Sequence, residues 1–188
     1  MKNKSLNNQG FSLIELIIAI LIMAIVAGAA IITVSSVSST ETKAAATKIS
    51  DVMKQARTDT LALENHPDAA GRSSIFVKIY SKESVVYADV CLREESGTIT
   101  TRFSRKIGKG IKLGFLEGAT QKASVGSDEV YIYFKKSTGG IAKIEVKTAT
   151  ENKFEDGINT IKVANASTDS VFTNLIIVNV TGRCYIDE

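Results

Sequence analysis

The sequence predicts an α+β fold, with one long N-terminal α-helix packed on an antiparallel β head that we expect to contain two sheets. Three observations indicate this fold class. An apolar block extends from Phe11 to Val34, helical spacing of apolar residues resumes beyond it, and short β-branched and aromatic runs punctuated by glycines follow from Ser74 onward. The roughly 120 residues of the head are enough for a hydrophobic core of their own.

The composition excludes several classes of protein. Of the 188 residues, 44% are hydrophobic and 23% are charged, which excludes wholesale disorder. The net charge of +3 includes Lys2 and Lys4, so the rest of the chain is nearly neutral and offers no case for a general polyanion binder. One histidine and two cysteines are too few for a zinc site of four such ligands, and we predict no metal site and no cofactor. The lone His66 has no Ser or Cys nucleophile near it in the sequence, so we predict no catalytic residue and no enzyme activity.

The first 34 residues have the pattern of a short leader followed by a helix of membrane length. Residues 1–10 are polar and basic, and residues 11–34 contain a single charged residue, Glu15. A helix of that length extends about 36 Å, more than the hydrocarbon core of a bilayer at about 30 Å. Because the lysines precede the apolar block, the positive-inside rule predicts a single-pass protein with its N-terminus in the cytoplasm and its head outside.

Glu15 distinguishes three interpretations of this segment. The first two are a secretory signal peptide cleaved at Ala27-Gly28-Ala29 and a plain membrane anchor. Neither has a use for a carboxylate, which costs roughly 2.5–3.5 kcal/mol within a spanning helix. In the third, cleavage between Gly10 and Phe11 creates an α-ammonium group four residues before Glu15, at a helix N-terminus that itself favours a carboxylate.

The third interpretation coincides with a family resemblance. The run Gly10-Phe11-Ser12-Leu13-Ile14-Glu15-Leu16 resembles the processing site of type IV prepilins and of the type II secretion pseudopilins. The resemblance implies that a membrane peptidase cuts after Gly10 and methylates Phe11, and that Glu15 pairs with the N-terminus of an adjacent subunit during assembly. Many pilins have a helix-kinking proline in this helix, and this chain has none there.

The resemblance implies a structural subunit with specific partners. It suggests a minor pilin or pseudopilin of a type IV pilus, a competence pseudopilus or a type II secretion pseudopilus. The implied partners are other pilin or pseudopilin subunits, prepilin peptidase, and an assembly platform and motor in the membrane. The implied location is the cytoplasmic membrane before assembly and an extracellular filament afterwards. Two alternatives remain: a DNA- or surface-binding adhesin at a pilus tip, and a secreted enzyme with a signal peptide.

Residues 35–66 are predicted to continue the helix as an amphipathic segment. Apolar and small residues recur at spacings of three and four and line one face: Ala45, Ile49, Val52, Met53, Ala56, Thr60 and Leu63. The only proline, Pro67, ends the pattern at Asn65-His66-Pro67. The face has two candidate uses, packing on the protein's own sheets, which we favour, or a groove for a partner helix.

Residues 67–188 are predicted to form the β head. The expected strands lie near Ile75–Tyr80, Val85–Leu92, Thr98–Phe103, Glu129–Phe134, Ile141–Thr148, Leu175–Val180 and Arg183–Ile186. Thr181-Gly182 lies between two apolar runs and predicts a hairpin turn.

Three segments bear a second resemblance, to the GspH/FimT-type minor pseudopilins. Residues 53–60 contain Ala56-Arg57 and are similar to a helix of that family. Residues 131–140, which end in Gly139-Gly140, and residues 176–183, which end in Gly182-Arg183, are similar to two of its hairpins. The resemblance implies a head of two antiparallel sheets and a place near the tip of a filament. Some FimT-like proteins bind DNA through a basic C-terminal tail, but this chain ends in Asp187-Glu188, so that property does not carry over.

Cys91 and Cys184 lie in predicted strands of an exported head and leave two alternatives open. A disulfide between them would close a loop of ~94 residues and add roughly 4–5 kcal/mol of stability. The other alternative is a pair of buried free thiols, because the sequence does not establish whether the two Cα atoms are within bonding reach.

A run of five cations without an acid begins within the third predicted strand and extends beyond it. One hypothesis is a patch for an anionic partner such as nucleic acid, which we do not favour. The other, which we favour, is a solvated loop beside acidic neighbours such as Glu94 and Glu95. The five cations are Arg102, Arg105, Lys106, Lys109 and Lys112.

Overall fold

The computed structural model describes residues 12–62, 72–126, 128–148, 151–154 and 157–187. In this part of the chain, a single α-helix, α1 (Leu13–Ala62), precedes eleven β-strands. By its internal contacts the chain divides into two compact units, residues 1–37 and residues 38–188. The boundary between the units therefore lies inside α1.

The helix α1 is continuous over 50 residues. It includes both the apolar block and the Ser/Thr-rich stretch from Ser35 to Thr42, which the sequence separates by composition. No proline interrupts it, and residues 63–71, where the sequence predicts the helix to end, lie outside the described residues. Within the described part of the chain, no helix is both long enough and apolar enough to cross a membrane.

The strands are mostly of ordinary length and rich in β-branched and aromatic residues. Their bounds are β1 (Arg72–Lys82), β2 (Val85–Arg93), β3 (Ile99–Lys109), β4 (Ile111–Glu117), β5 (Thr120–Val125), β6 (Glu129–Lys135), β7 (Ile141–Lys147), β8 (Asn152–Phe154), β9 (Thr160–Asn165), β10 (Thr168–Val178) and β11 (Arg183–Asp187).

The strands form two antiparallel sheets, as the sequence predicts. The first, sheet A, has six strands in the order β3-β2-β1-β6-β7-β8. The second, sheet B, has five strands in the order β11-β10-β9-β4-β5. The predicted hairpin is confirmed, because the turn through Thr181 and Gly182 joins β10 to β11, with Val178 opposite Arg183. The predicted α+β class is likewise confirmed.

Four strands are absent from the sequence-based prediction: β4, β5, β8 and β9. Three of these make up most of sheet B. The alternation of buried and exposed residues that is typical of a strand is nevertheless present in β9. Ile161 and Val163 are buried on one face, while the lysine between them is partly exposed. Lysines and glycines within short strands, such as Lys112 and Gly114 in β4, obscure this pattern in the sequence.

The hydrophobic core combines the predicted face of α1 with the inner faces of both sheets. Ile49, Val52 and Met53 of α1 are fully buried in the same cluster as Ile132 of sheet A and Leu175 of sheet B. The amphipathic face therefore packs on the protein's own sheets, as favoured above, and is not an open groove for a partner helix. Leu63, its last predicted member, lies outside the described residues.

Polar side chains of α1 reach both sheets. Lys48 donates a hydrogen bond from Nζ to the carbonyl oxygen of Ile107 in β3, at 2.9 Å. Thr42 Oγ1 lies 3.0 Å from Thr173 Oγ1 in β10, a buried hydrogen bond between hydroxyl groups. Asn165 Nδ2 in β9 donates to a carboxylate oxygen of Glu41 at 2.8 Å. Residues 38–62 of the helix are thus an integral layer of the head.

Candidate functional site

The helix α1 begins with a capping arrangement between Ser12 and Glu15. The backbone N–H of Ser12 donates to Oε2 of Glu15 at 2.9 Å, and the carbonyl oxygen of Ser12 accepts hydrogen bonds from the N–H groups of Glu15 and Leu16. This is the carboxylate half of a capping box, in which an acid three residues into the helix bonds to the cap residue. The S-x-x-E spacing is visible in the sequence, although the expected partner of the carboxylate was an N-terminal ammonium group, of its own chain or of a neighbour, and not the Ser12 N–H.

The first four turns of α1 carry apolar side chains on every side, and these are exposed. Leu13 is 77% exposed and Met23 is 70% exposed, and the other large apolar side chains up to Val26 are 49% or more exposed. Monomeric soluble proteins rarely expose an apolar surface of this extent, which ordinarily marks contact with another protein or with lipid. Glu15 is the only charged residue in this stretch.

The predicted processing residues, Gly10 and Phe11, lie outside the described residues. Glu15 lies in the first helical turn, where the partial positive charge of the helix N-terminus stabilises a carboxylate.

In the head, the three segments on which the second resemblance was based meet at one place, the glycine junction, formed by Arg57, Gly139, Gly140 and Gly182. Arg57 of α1 donates from Nε to the carbonyl oxygen of Thr181 at 2.7 Å. Ile141 N–H donates to the carbonyl oxygen of Asn179, also at 2.7 Å, and so joins the β6–β7 turn to the β10–β11 turn.

The glycine junction requires residues without side chains. A Cβ atom built on Gly182 would overlap the carbonyl oxygen of Gly139, and one built on Gly140 would overlap that of Val180. Gly139 and Gly182 also have positive φ angles of 67° and 65°, which residues with a Cβ adopt at a cost. The close packing of the two turns therefore requires glycine at these positions, in addition to the turn conformations themselves.

The five cations do not form a loop, so that part of the prediction is wrong. Arg102, Arg105, Lys106 and Lys109 belong to strand β3, and Lys112 belongs to β4 of the other sheet. The strand signal was hidden because charged residues dominate the second half of β3, which is an edge strand and need not be apolar.

The same cations do not share one face. Arg105 forms an ion pair with Asp51 of α1, with NH1 and Oδ2 3.2 Å apart, whereas Lys106 lies opposite Tyr87 on the other face of sheet A. Consecutive residues of a strand point to opposite faces, which accounts for this division. The five cations are thus divided between the two faces of sheet A and a strand of sheet B, and do not form a single patch.

Of the two alternatives for the cysteines, the structure has the free thiols. Cys91 is buried on the outer face of sheet A, in a cluster with Phe76, Tyr131 and Tyr133. Cys184 packs against the main core from β11 of sheet B. The two side chains therefore lie in different clusters and different sheets.

Comparison with known proteins adds one finding at the N-terminus. Residues 5–31 match the family described as the prokaryotic N-terminal methylation motif. The matched segment includes the predicted cleavage position and Glu15. The chain matches no curated protein and no solved structure. The resemblance of the N-terminal segment to prepilins is thereby confirmed.

Proposed function

We propose that this chain is a pilin or pseudopilin processed by prepilin peptidase, and that it serves as a minor, non-enzymatic subunit of an extracellular filament, because residues 5–31 match the N-terminal methylation motif. The filament is a type IV pilus, a competence pseudopilus or a type II secretion pseudopilus. The observation that carries the proposal is the motif over residues 5–31, together with the exposed apolar surface of the helix that follows it.

The proposed assembly begins in the cytoplasmic membrane. Residues 11–34 hold the precursor there as a single-pass segment, with the leader inside and the head outside. Prepilin peptidase removes residues 1–10 and methylates Phe11. A motor and an assembly platform then extract the subunit, and its apolar helix exchanges lipid for the helices of neighbouring subunits.

In this proposal, the carboxylate of Glu15 sets the axial register of the subunit. A charge left unpaired among apolar helices is costly, and the ammonium group at Phe11 of a neighbouring subunit removes that cost. The hydrogen bond between Ser12 and Glu15 supports this role, because it holds the carboxylate close to the helix N-terminus. The exposed apolar side chains from Leu13 to Val26 then supply the contact surface.

The head is proposed to be of the GspH/FimT type, which suggests a position near the filament tip. The glycine junction supports this, because Arg57, Gly139 and Gly182 come from the three segments that carry the resemblance and meet in space. The meeting of these residues in space is more specific support for the resemblance than the order of the three segments along the chain.

The proposal is tested in a host that carries a prepilin peptidase and the filament machinery. Mass spectrometry of the mature chain is expected to show Phe11 as a methylated first residue. A mature chain that begins elsewhere, for example near Ala30 after signal-peptide cleavage, would contradict the proposal.

Two substitutions at Glu15 separate pairing from capping. Glu15→Gln keeps an oxygen that can accept the Ser12 N–H but loses the charge, whereas Glu15→Ala loses both. We expect both variants to be processed and both to be depleted from sheared filaments. Glu83→Gln, an exposed acid in the β1–β2 turn, is the control and should assemble normally. Normal incorporation of Glu15→Gln would show that the carboxylate serves only the helix cap.

A further inference from the structure

The outer face of sheet A, opposite the core, is not an ordinary solvated strand surface. In β1, Val77 and Ile79 point inward and are fully buried. Lys78 and Tyr80 alternate with them and therefore lie on the outer face. In the register of the sheet, Lys78 lies between Asp89 of β2 and Tyr131 of β6, and Tyr80 lies opposite Tyr87. Aromatic and charged side chains therefore cover this face in alternating rows.

An open depression of about 530 Å³ lies on this face beside the edge strand β3. Its volume is within the range of small-molecule sites. The half-buried ring of Tyr80 and the 46% exposed side chain of Ile99 provide apolar surface. The rings of Tyr80 and Tyr87 stack with centroids 5.6 Å apart, which restrains the aromatic wall.

The depression also holds a buried carboxylate, Asp89, which is only 6% exposed. Ser104 donates from Oγ to Oδ1 of Asp89 at 2.6 Å, which fixes the orientation of the carboxylate. Carboxylates are rarely buried without partners, and an ionised carboxylate can accept several hydrogen bonds on its two oxygens. Thr101, on strand β3, is an exposed residue that lines the same depression, and its Oγ1 lies 3.9 Å from the Sγ atom of Cys91.

The formal charges that line the depression cancel. Among the described residues, its two carboxylates are Asp89 and Glu129 and its two ammonium groups are Lys78 and Lys82. Lys78 forms an ion pair with Glu129, with Nζ and Oε1 2.8 Å apart. The site thus offers fixed acceptors and donors next to an apolar wall, without a net charge that would favour an anion or a cation.

We propose that this depression binds a neutral sugar residue of a glycan chain. A sugar hydroxyl can donate to the Asp89 carboxylate while accepting from Thr101 or Lys78, and the C–H face of the sugar ring can pack on Tyr80 and Ile99. The absence of net charge disfavours nucleic acid and acidic polysaccharides, which require an excess of cations. This inference is independent of the filament proposal, because it concerns only the head.

The test uses the full chain in a zwitterionic detergent that contains no sugar, applied to an array of neutral, acidic and sulfated oligosaccharides. We expect retention of neutral glycans, and titration calorimetry with the best retained one then measures its affinity. Tyr80→Ala and Thr101→Val are each expected to weaken binding roughly tenfold, the loss expected from one missing contact. Asp89→Asn should have at least that effect, and because Thr101 is exposed, its variant tests the site even if Asp89→Asn does not fold.

Tyr185→Ala is the matched control, since Tyr185 is 54% exposed on the last strand of sheet B, outside the depression. The Tyr185→Ala variant should bind the neutral glycan with the same affinity as the unsubstituted chain. Three results would each overturn the proposal: no neutral glycan retained, retention of acidic glycans only, or neutral-glycan affinity unchanged in both Tyr80→Ala and Thr101→Val. The last result would mean that these side chains only hold the outer face of the sheet together.

Discussion

Arg57 of the helix α1 donates a hydrogen bond from Nε to the backbone carbonyl oxygen of Thr181, 2.7 Å away and 124 positions later in the chain. The aliphatic part of Arg57 also packs over Gly139, where a Cβ would lie 3.0 Å from Arg57 Cγ. One helical side chain thus contacts a turn of each sheet.

The first prediction concerns Arg57 itself. Arg57→Met keeps much of the aliphatic chain but removes the hydrogen bond, so the carbonyl oxygen of Thr181 loses its charged donor. We expect the free energy of unfolding of the fragment 38–188 to fall by about 1.5–3 kcal/mol, measured by urea denaturation. Lys54→Met, at an exposed position of the same helix, is the control and should change it by about 0.5 kcal/mol or less. Equal effects of the two substitutions would show that the hydrogen bond contributes nothing specific.

Gly182→Ala tests the close packing of the two turns. The added Cβ would overlap the carbonyl oxygen of Gly139, and the φ of +65° adds backbone strain. Both effects destabilise the fold, so we expect a loss of at least about 3 kcal/mol in urea denaturation. Gly126→Ala is the matched control, since a Cβ there meets no atom within 4 Å. A Gly182→Ala protein as stable as Gly126→Ala would refute the described junction.

The third prediction is a pH dependence of stability that comes from Glu129. Burial alone would raise the pKa of Glu129, but its hydrogen bonds from Lys78 and Tyr131 and the nearby ammonium groups lower the pKa below its ordinary value of 4.5. The ionised carboxylate therefore stabilises the folded state. This contribution is fully present above pH 4.5 and is lost as the pH falls through the lower pKa of the folded state.

The measurement compares urea midpoints of the fragment 38–188 with those of its Glu129→Gln variant between pH 7 and pH 3. The difference between them should be largest near neutral pH and should shrink on acidification. A difference that stays constant over this range would show that the charge of Glu129 does not contribute.

The fourth prediction concerns the reactivity of the two cysteines. Burial raises the pKa of Cys184 to about 11, with the positive charge of Lys54 opposing the shift in part. Burial also raises the pKa of Cys91, although a hydrogen bond with Thr101 opposes it. Because the thiolate is the reactive form, iodoacetamide at pH 8 should label neither residue in the folded head and both in urea. Rapid labelling of either thiol in the folded protein would contradict the structure, and mass spectrometry detects it directly.

Patterns local in the sequence predicted much of the fold. Apolar spacing in residues 45–60 identified the buried face of α1, and alternation with β-branched residues identified seven of the strands. These signals are strong because a buried element must repeat apolar residues at its own period. The strands missed in sheet B are short and carry lysines or glycines, so their periodicity is weak.

The sequence by itself determined the N-terminal motif, with Gly10, Phe11 and Glu15 at their spacing, since a processing site and a helix cap depend on neighbouring residues. Only the tertiary structure decided which distant side chains meet. Arg105 forms an ion pair with Asp51, whereas Lys106 lies on the opposite face of the sheet. The two cysteines are not bonded to each other, and Arg57 donates a hydrogen bond to Thr181. The physical reason is strand register, because pairing between strands far apart in the chain sets both the neighbours of a side chain and the face it occupies.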